Sequence, residues 1–279
     1  KNQGIFMRPI TPQTFLFVPA TRLDRVPKAL ASGAQAVIID LEDAVAAEQK
    51  ERVREQILAF DESCTHPYWL RINAATTADF TKDRLLIEKL SHVAGVFLPK
   101  CESRLAASVL HQSTQKPVIA MIESAKGLLN IAEIAAADGL LALSYGCLDF
   151  AHSLGVRVGS PAMRALSDKV RCELVLHSSA HGLAAPIETI YPQFDDDAGL
   201  AACVRHWQDF GFGGQLLIHP RQVGVVAKTL NLQDDLAFAQ AVVKEFERTN
   251  EAAFTVAGRM VDLPVIRWAQ TLVGKQPDK

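Results

Sequence analysis

The sequence predicts an α/β fold in which eight parallel strands, each followed by helical sequence, close into a barrel. Three observations predict it. Eight short apolar runs recur along the 279 residues, at 15–18, 36–41, 68–72, 95–98, 117–122, 140–144, 184–187 and 215–218. Longer segments of helical period separate them, and strands flanked by helices on both sides belong in a parallel sheet. Eight such units in roughly 215 residues suit closure of the sheet on itself. No G-x-G-x-x-G follows the first run, which counts against the open dinucleotide-binding alternative.

The elements follow in order. F-L-F-V at 15–18 ends at Pro19 and leads to a helix over 23–31. A-V-I-I-D-L at 36–41 is a continuous apolar run, as a strand covered on both faces requires, and a helix follows over 48–60. Y-W-L-R-I at 68–72 precedes a helix over 79–91, opened by Asp79. The fourth and fifth runs precede helices over 103–111 and 124–137, each opened by a serine suited to capping. The last three runs precede helices over 161–181, 197–210 and 220–230. Residues 14–230 are therefore expected to form a catalytic (β/α)8 TIM barrel. Residues 231–279 read as a C-terminal helical extension: a helix over 234–251, a glycine-containing segment over 252–263 and a helical segment over 264–273. A closed barrel offers no free sheet edge, so this extension must lie outside it and is expected on a neighbouring subunit.

Composition narrows the function. Apolar residues make up 49% and charged residues 22%, which fits a folded globular chain. Twenty-nine basic residues against 31 acidic ones leave a net charge of −2, and nothing calls for a nucleic acid partner. Five cysteines without a C-x-x-C pair read as free thiols of a reducing cytosol. The longest apolar stretch, 128–148, is interrupted by Glu133 and Asp138, so no membrane span is expected. Residues 15–18 are too short for a secretion signal, and the expected location is cytoplasmic.

In such a barrel the chemistry sits where strands end at their C-terminal side. Asp40, Glu42 and Asp43 follow the second run; Arg71 and Asn73 close the third; Lys100 follows the fourth. Glu123 ends the fifth, Asp149 follows the sixth, Glu188 the seventh and His219 the eighth. Any one of these is as readily a solvated rim residue as a functional one, but an ionisable group at nearly every strand end points to a site. Acids outnumber bases and no His/Cys cluster is present, so the donor set suits a hard cation. Mg²⁺ takes one or two carboxylates: Glu123 and Asp149, from adjacent strands, can meet, and Glu42 and Asp43 can hold its waters. Arg71 suits a carboxylate or a developing oxyanion. Arg22, Arg25 and Lys28, three apart, would share a helix face that either holds phosphates or is simply solvated. His219, before Pro220, reads as a packed or hydrogen-bonded residue rather than a base.

F-L-F-V-P-A-T-R (15–22), A-V-I-I-D-L-E-D-A-V (36–45), L-R-I-N (70–73), F-L-P-K (97–100), M-I-E-S-A-K-G (121–127) and I-H-P-R-Q (218–222) occur in this order. Together they resemble the citrate lyase beta-subunit-like branch of the HpcH/HpaI aldolase family, over residues 14–274. The resemblance implies a β/α barrel, a Mg²⁺ ion and a CoA-thioester substrate. It implies metal ligands at Glu123 and Asp149, a substrate-binding arginine at Arg71 and a CoA-side arginine at Arg22. The family's G-x-E-D-L motif reads Gly146-Cys147-Leu148-Asp149-Phe150 here, so the usual glutamate is Leu148. G-R-M-V-D-L-P (258–264) resembles the C-terminal motif of malyl-CoA and citramalyl-CoA lyases, whose aspartate serves a neighbouring subunit as acid/base. Asp262 matches it, and by its position it also suits the cap of a helix opened by Leu263-Pro264. The implied activity is a Mg²⁺-dependent, retro-Claisen-type carbon–carbon lyase of a 3-hydroxyacyl-CoA, citramalyl-CoA first and malyl-CoA next. Arg71 and Asp262 would be catalytic, and Arg71, Glu123, Arg22 and Lys100 would bind substrate. Glu42 and Asp43 would support them in a homo-oligomer, a trimer by the resemblance. The competing readings are a citrate lyase beta subunit acting on an acyl-carrier-protein thioester and a non-catalytic CoA-binding subunit.

Overall fold

Strands covered on both faces must be apolar throughout, and in the computed structural model every residue of the second strand is buried. The structure describes residues 9, 11–230 and 233–274. The chain divides into two compact units after Thr229.

In the first unit the order is β1 (Thr14–Pro19), α1 (Val26–Ala31), β2 (Ala36–Asp40), α2 (Lys50–Ser63), β3 (Tyr68–Arg71), α3 (Asp79–Ile87), β4 (Val93–Leu98) and α4 (Arg104–Thr114). There follow β5 (Val118–Ile122), α5 (Ala125–Leu129), α6 (Ile131–Ala135), β6 (Leu140–Tyr145), α7 (Cys147–Leu154), α8 (Pro161–Ala180), β7 (Ile187–Glu188), α9 (Asp197–Asp209), β8 (Gly214–Leu217) and α10 (Pro220–Thr229). The eight strands close in sequence order, and β1 pairs with β8 in parallel. The eight-stranded TIM-type barrel expected from the sequence is the fold.

Its interior is filled rather than hollow. Phe15, Trp69 and Phe97 meet edge to face with centroids 5.3–5.7 Å apart. A Cβ at Gly95 would collide with the Trp69 ring, so glycine is what lets this aromatic layer close.

Several elements differ from the sequence reading. The helix expected over 23–31 begins as a 3-10 turn over Ala20–Arg25, with Arg22 non-helical, and only Val26 onward is α. Pro27 in its first turn fixes that start. Arg22, Arg25 and Lys28 therefore do not share one helix face; Arg22 forks onto Asp24 at 2.9 Å in solvent. The helix expected over 124–137 breaks at Asn130, whose side chain donates to the Glu102 carbonyl, and forms α5 and α6. Helix α7, carrying Asp149, was not anticipated; at eight residues it is too short for periodicity to reveal.

The second unit contains α11 (Gln233–Thr249), β9 (Ala253–Val256), β10 (Arg259–Asp262) and α12 (Leu263–Gly274). The extension is thus not purely helical, because its glycine-containing segment is an antiparallel hairpin turned at Ala257-Gly258 with positive φ at both positions. Val261 and Ile266 are buried with Ala239, Val242 and Ala269 in a small core of its own.

Candidate active site

The site grows from the strand ends. Asp40 and Arg71 are cross-strand partners at the ends of β2 and β3. Register alone sets them side by side, and the guanidinium forks onto the carboxylate at 2.8 and 2.6 Å. The guanidinium also lies 4.7 Å over the Phe17 ring. Nη1 forms a longer ion pair with Glu42 Oε2 at 3.5 Å, beside the fork on Asp40. Asp40 Oδ1 also accepts from the Glu42 amide at 3.0 Å, which turns the loop so that Glu42 enters the same cluster.

Glu123 follows β5 and is 2% exposed. Its Oε2 accepts the Lys100 amide at 2.8 Å, and a Cβ at position 146 would collide with its Oε1, so Gly146 allows this placement. Lys100 has φ 47°, the left-handed region, which is what presents its N–H to Glu123. Its ammonium bonds Glu42 at 2.6 Å and Asp43 at 3.3 Å. Burial, with Glu42 and Asp149 nearby, pushes the Glu123 carboxyl up to about 8 against the pull of Arg71. Burial likewise raises Glu42, partly offset by Arg71 and Lys100. Asp149, in the first turn of α7, completes the cluster.

These groups surround a cavity of about 310 Å³ lined by Asp40, Arg71, Glu123 and Asp149 on its polar side and by Leu148 and Ile190 on its apolar side. Five carboxylates (Asp40, Glu42, Asp43, Glu123 and Asp149) face two cations (Arg71 and Lys100), and Glu42 Oε2 is buried without a hydrogen bond. That excess of negative charge, with Glu123 and Asp149 on one cavity, fits a divalent hard cation. Among the described residues no group of three or more His, Cys, Asp or Glu forms a ready-made metal cage. A site for Mg²⁺ needs only one or two carboxylates and keeps waters for the rest.

The ring of strand-end groups is only partly brought together. Lys100 is not among the residues lining the cavity; it ties Glu123 to Glu42 and Asp43. Arg22 does not line it either. Asn73 is turned to Asp83, with hydrogen bonds of 2.7 and 2.8 Å. Glu188 is fully buried, held by Arg171 at 2.8 and 2.9 Å and by the Tyr145 hydroxyl at 2.7 Å. His219 is exposed; its ring tilts over Phe194 at 5.0 Å and its Nδ1 accepts the Arg221 amide at 3.1 Å. Asp262 Oδ1 accepts the Val265 amide at 3.4 Å and caps α12, the bland role its position allowed. Asp40 as the anchor of Arg71 was not singled out; its signal was an acid ending one strand and an arginine ending the next.

A closed β/α barrel with an arginine and carboxylates gathered around a cavity at the C-terminal strand ends is the architecture of a barrel enzyme. The chain belongs to the HpcH/HpaI aldolase/citrate lyase family, whose sequence model matches residues 13–220. It is 30% identical over 278 residues to a (3S)-malyl-CoA thioesterase of Cereibacter sphaeroides, covering 93% of each chain. It is 27% identical over 291 residues to the mitochondrial citramalyl-CoA lyase of Homo sapiens, covering 92% of this chain and 83% of that one. Among solved structures, CitE of Mycobacterium tuberculosis in complex with magnesium, acetoacetate and coenzyme A is similar with a TM-score of 0.83. That match has 34% identity and covers 96% of this chain and 100% of the other.

Proposed function

We propose that the protein is a Mg²⁺-dependent lyase that cleaves the carbon–carbon bond of a 3-hydroxyacyl-CoA, with citramalyl-CoA as the first choice of substrate and malyl-CoA as the second. The observation that carries this reading is the pairing of Glu123 and Asp149 on one cavity with an Arg71 immobilised by Asp40. The family membership and the magnesium and coenzyme A complex of CitE support it.

Glu123 and Asp149 would hold the Mg²⁺, which when bound supplies charge that lowers the pKa of the substrate hydroxyl. Lys100 holds Glu123 in position through its amide. Arg71 meets the oxygen that becomes the keto carbonyl, and its fork on Asp40 keeps it from reorganising as charge shifts. The hydroxyl proton passes to solvent water, the bond between the acyl α-carbon and the hydroxyl carbon breaks, and its electron pair passes to the thioester enolate. Asp262, in the fold of a neighbouring subunit's extension, would return a proton to that α-carbon. Arg22 would face the CoA phosphates, and the assembly would be a homotrimer.

Purified protein with Mg²⁺ is expected to convert citramalyl-CoA to acetyl-CoA and pyruvate faster than malyl-CoA or citryl-CoA, with EDTA abolishing the reaction. Release of free CoA with the hydroxy acid intact would make it a thioesterase instead. CoA binding without turnover would favour a carrier-dependent or non-catalytic subunit. Asp262→Asn is expected to lower kcat by about 10²-fold or more and to stop exchange of the acetyl-CoA methyl protons with deuterated solvent. A protein that is monomeric in light scattering and fully active would rule out the donated aspartate.

A further inference from the structure

The catalytic cavity has a second, larger cavity behind its apolar wall. It measures about 460 Å³, lies between α8 and α9 beyond the end of β7, and shares Cys147, Leu148, Thr189 and Ile190 with the first. The barrel wall is weakest here, because β7 has two residues and a single bridged pair, Ser144 with Ile187, to β6.

Five polar groups of this second cavity bond one another, while Arg164, Ser167 and Gln193 also line it. Arg171 forks onto Glu188 and reaches Asp168 at 2.7 Å, Tyr145 donates to Glu188, and His206 Nε2 lies 2.8 Å from Asp168 Oδ1. The rest of the lining is largely apolar: Leu148, Val158, Met163, Ile190 and Ala202 among others. Leu148 is 42% exposed and stands one residue before Asp149, so an alkyl group beside the metal carboxylates would cover a leucine that water now touches.

We infer that the β6–β7 wall sets the substrate class. The branch R on the hydroxyl-bearing carbon lies against Leu148 and Ile190, and the cavity behind them accepts branches longer than methyl. The inference rests on the lyase reading, under which cleavage breaks the bond between the acyl α-carbon and that carbon. The hydroxyl proton passes to solvent water, the electron pair ends in the thioester enolate, which takes a proton at its α-carbon, and the released fragment is a 2-oxo acid, R–CO–COO⁻. Leu148, where the resembled family carries glutamate, is then the specificity-determining residue of this chain.

The test uses the released fragments, so it does not depend on turnover. Glyoxylate, pyruvate, 2-oxobutanoate and 2-oxopentanoate are titrated by calorimetry into the full chain at saturating Mg²⁺. Affinity is expected to rise by about fourfold for each methylene withdrawn from water. Leu148→Glu should flatten that series, and Leu148→Ala, a milder change at a half-exposed position, should reduce its slope. Ala202→Phe should remove the advantage of 2-oxopentanoate over pyruvate. A flat or falling series in the unmodified protein, no binding of any 2-oxo acid, or a slope indifferent to both Leu148 variants would overturn the inference. A rising series abolished by Leu148→Glu, with no thioester cleaved, would sustain the inference and sink the lyase reading. Thioester cleavage with a flat series would do the reverse.

Discussion

Glu123→Gln is expected to leave a folded protein that binds Mg²⁺ poorly and whose kcat/KM falls by about 10³-fold or more, since a metal ligand supplies several kcal/mol of charge stabilisation. The same substitution should raise the stability of the metal-free protein at alkaline pH. Metal-free Glu123 titrates at about 8, against an ordinary 4.5, because it is buried with Glu42 and Asp149 close by. Between those values the folded state holds a proton that the unfolded state has released. The metal-free protein should therefore lose stability as pH rises from about 4.5 to about 8. Mg²⁺ competes with that proton, so its affinity should climb with pH across the same window and level off above about 8. Thermal unfolding and Mg²⁺ calorimetry at several pH values read both slopes. Retention of either slope in Glu123→Gln would assign it to another group.

Arg71→Lys is expected to reduce kcat by about 10²–10³-fold, the usual cost of losing one oriented donor to a developing oxyanion. Lysine keeps the charge but cannot fork onto Asp40, so the donor would no longer be fixed. Arg71→Met goes further, because Asp40 and Glu42, both nearly buried, would lose their shared cation. A loss of about 3–5 kcal/mol of unfolding free energy is expected. Adding Asp40→Asn to Arg71→Met should recover part of that stability and none of the activity. Chemical denaturation beside steady-state kinetics separates the two effects. Recovery of activity with stability would mean that Arg71 only braces the fold.

The relation of the two results explains why these groups persist. Glu42 carries a buried oxygen without a hydrogen bond, and Glu123 is buried among like charges. Neither arrangement helps a metal-free barrel fold. Both make sense as a site whose charge is completed by a cation, with stability given up for function.

Much of this was legible along the chain. A strand buried on both faces must be continuously apolar, so 36–41 and 117–122 announced a parallel sheet, and eight repeats announced its closure. Residues that end strands in a closed barrel share one rim, which is why Arg71, Glu123 and Asp149 could be grouped from sequence alone. The hairpin in the extension and the eight-residue α7 were not legible, because short elements carry too few residues for a period to show.

Barrel closure, the rim that holds the polar groups and the identity of the carboxylates and arginine were determined by the sequence itself, because periodicity and chain order are local properties. Which rim groups face the cavity was decided only by tertiary structure. Glu188 and Asn73 stand at strand ends just as Glu123 does, yet Arg171 and Asp83 turn them into structural pairs. Lys100 became a brace for Glu123 through a left-handed backbone, and Leu148 became a wall between two cavities through the shortness of β7. The direction of a side chain and the sharing of its hydrogen bonds depend on partners distant in sequence, which no local pattern records.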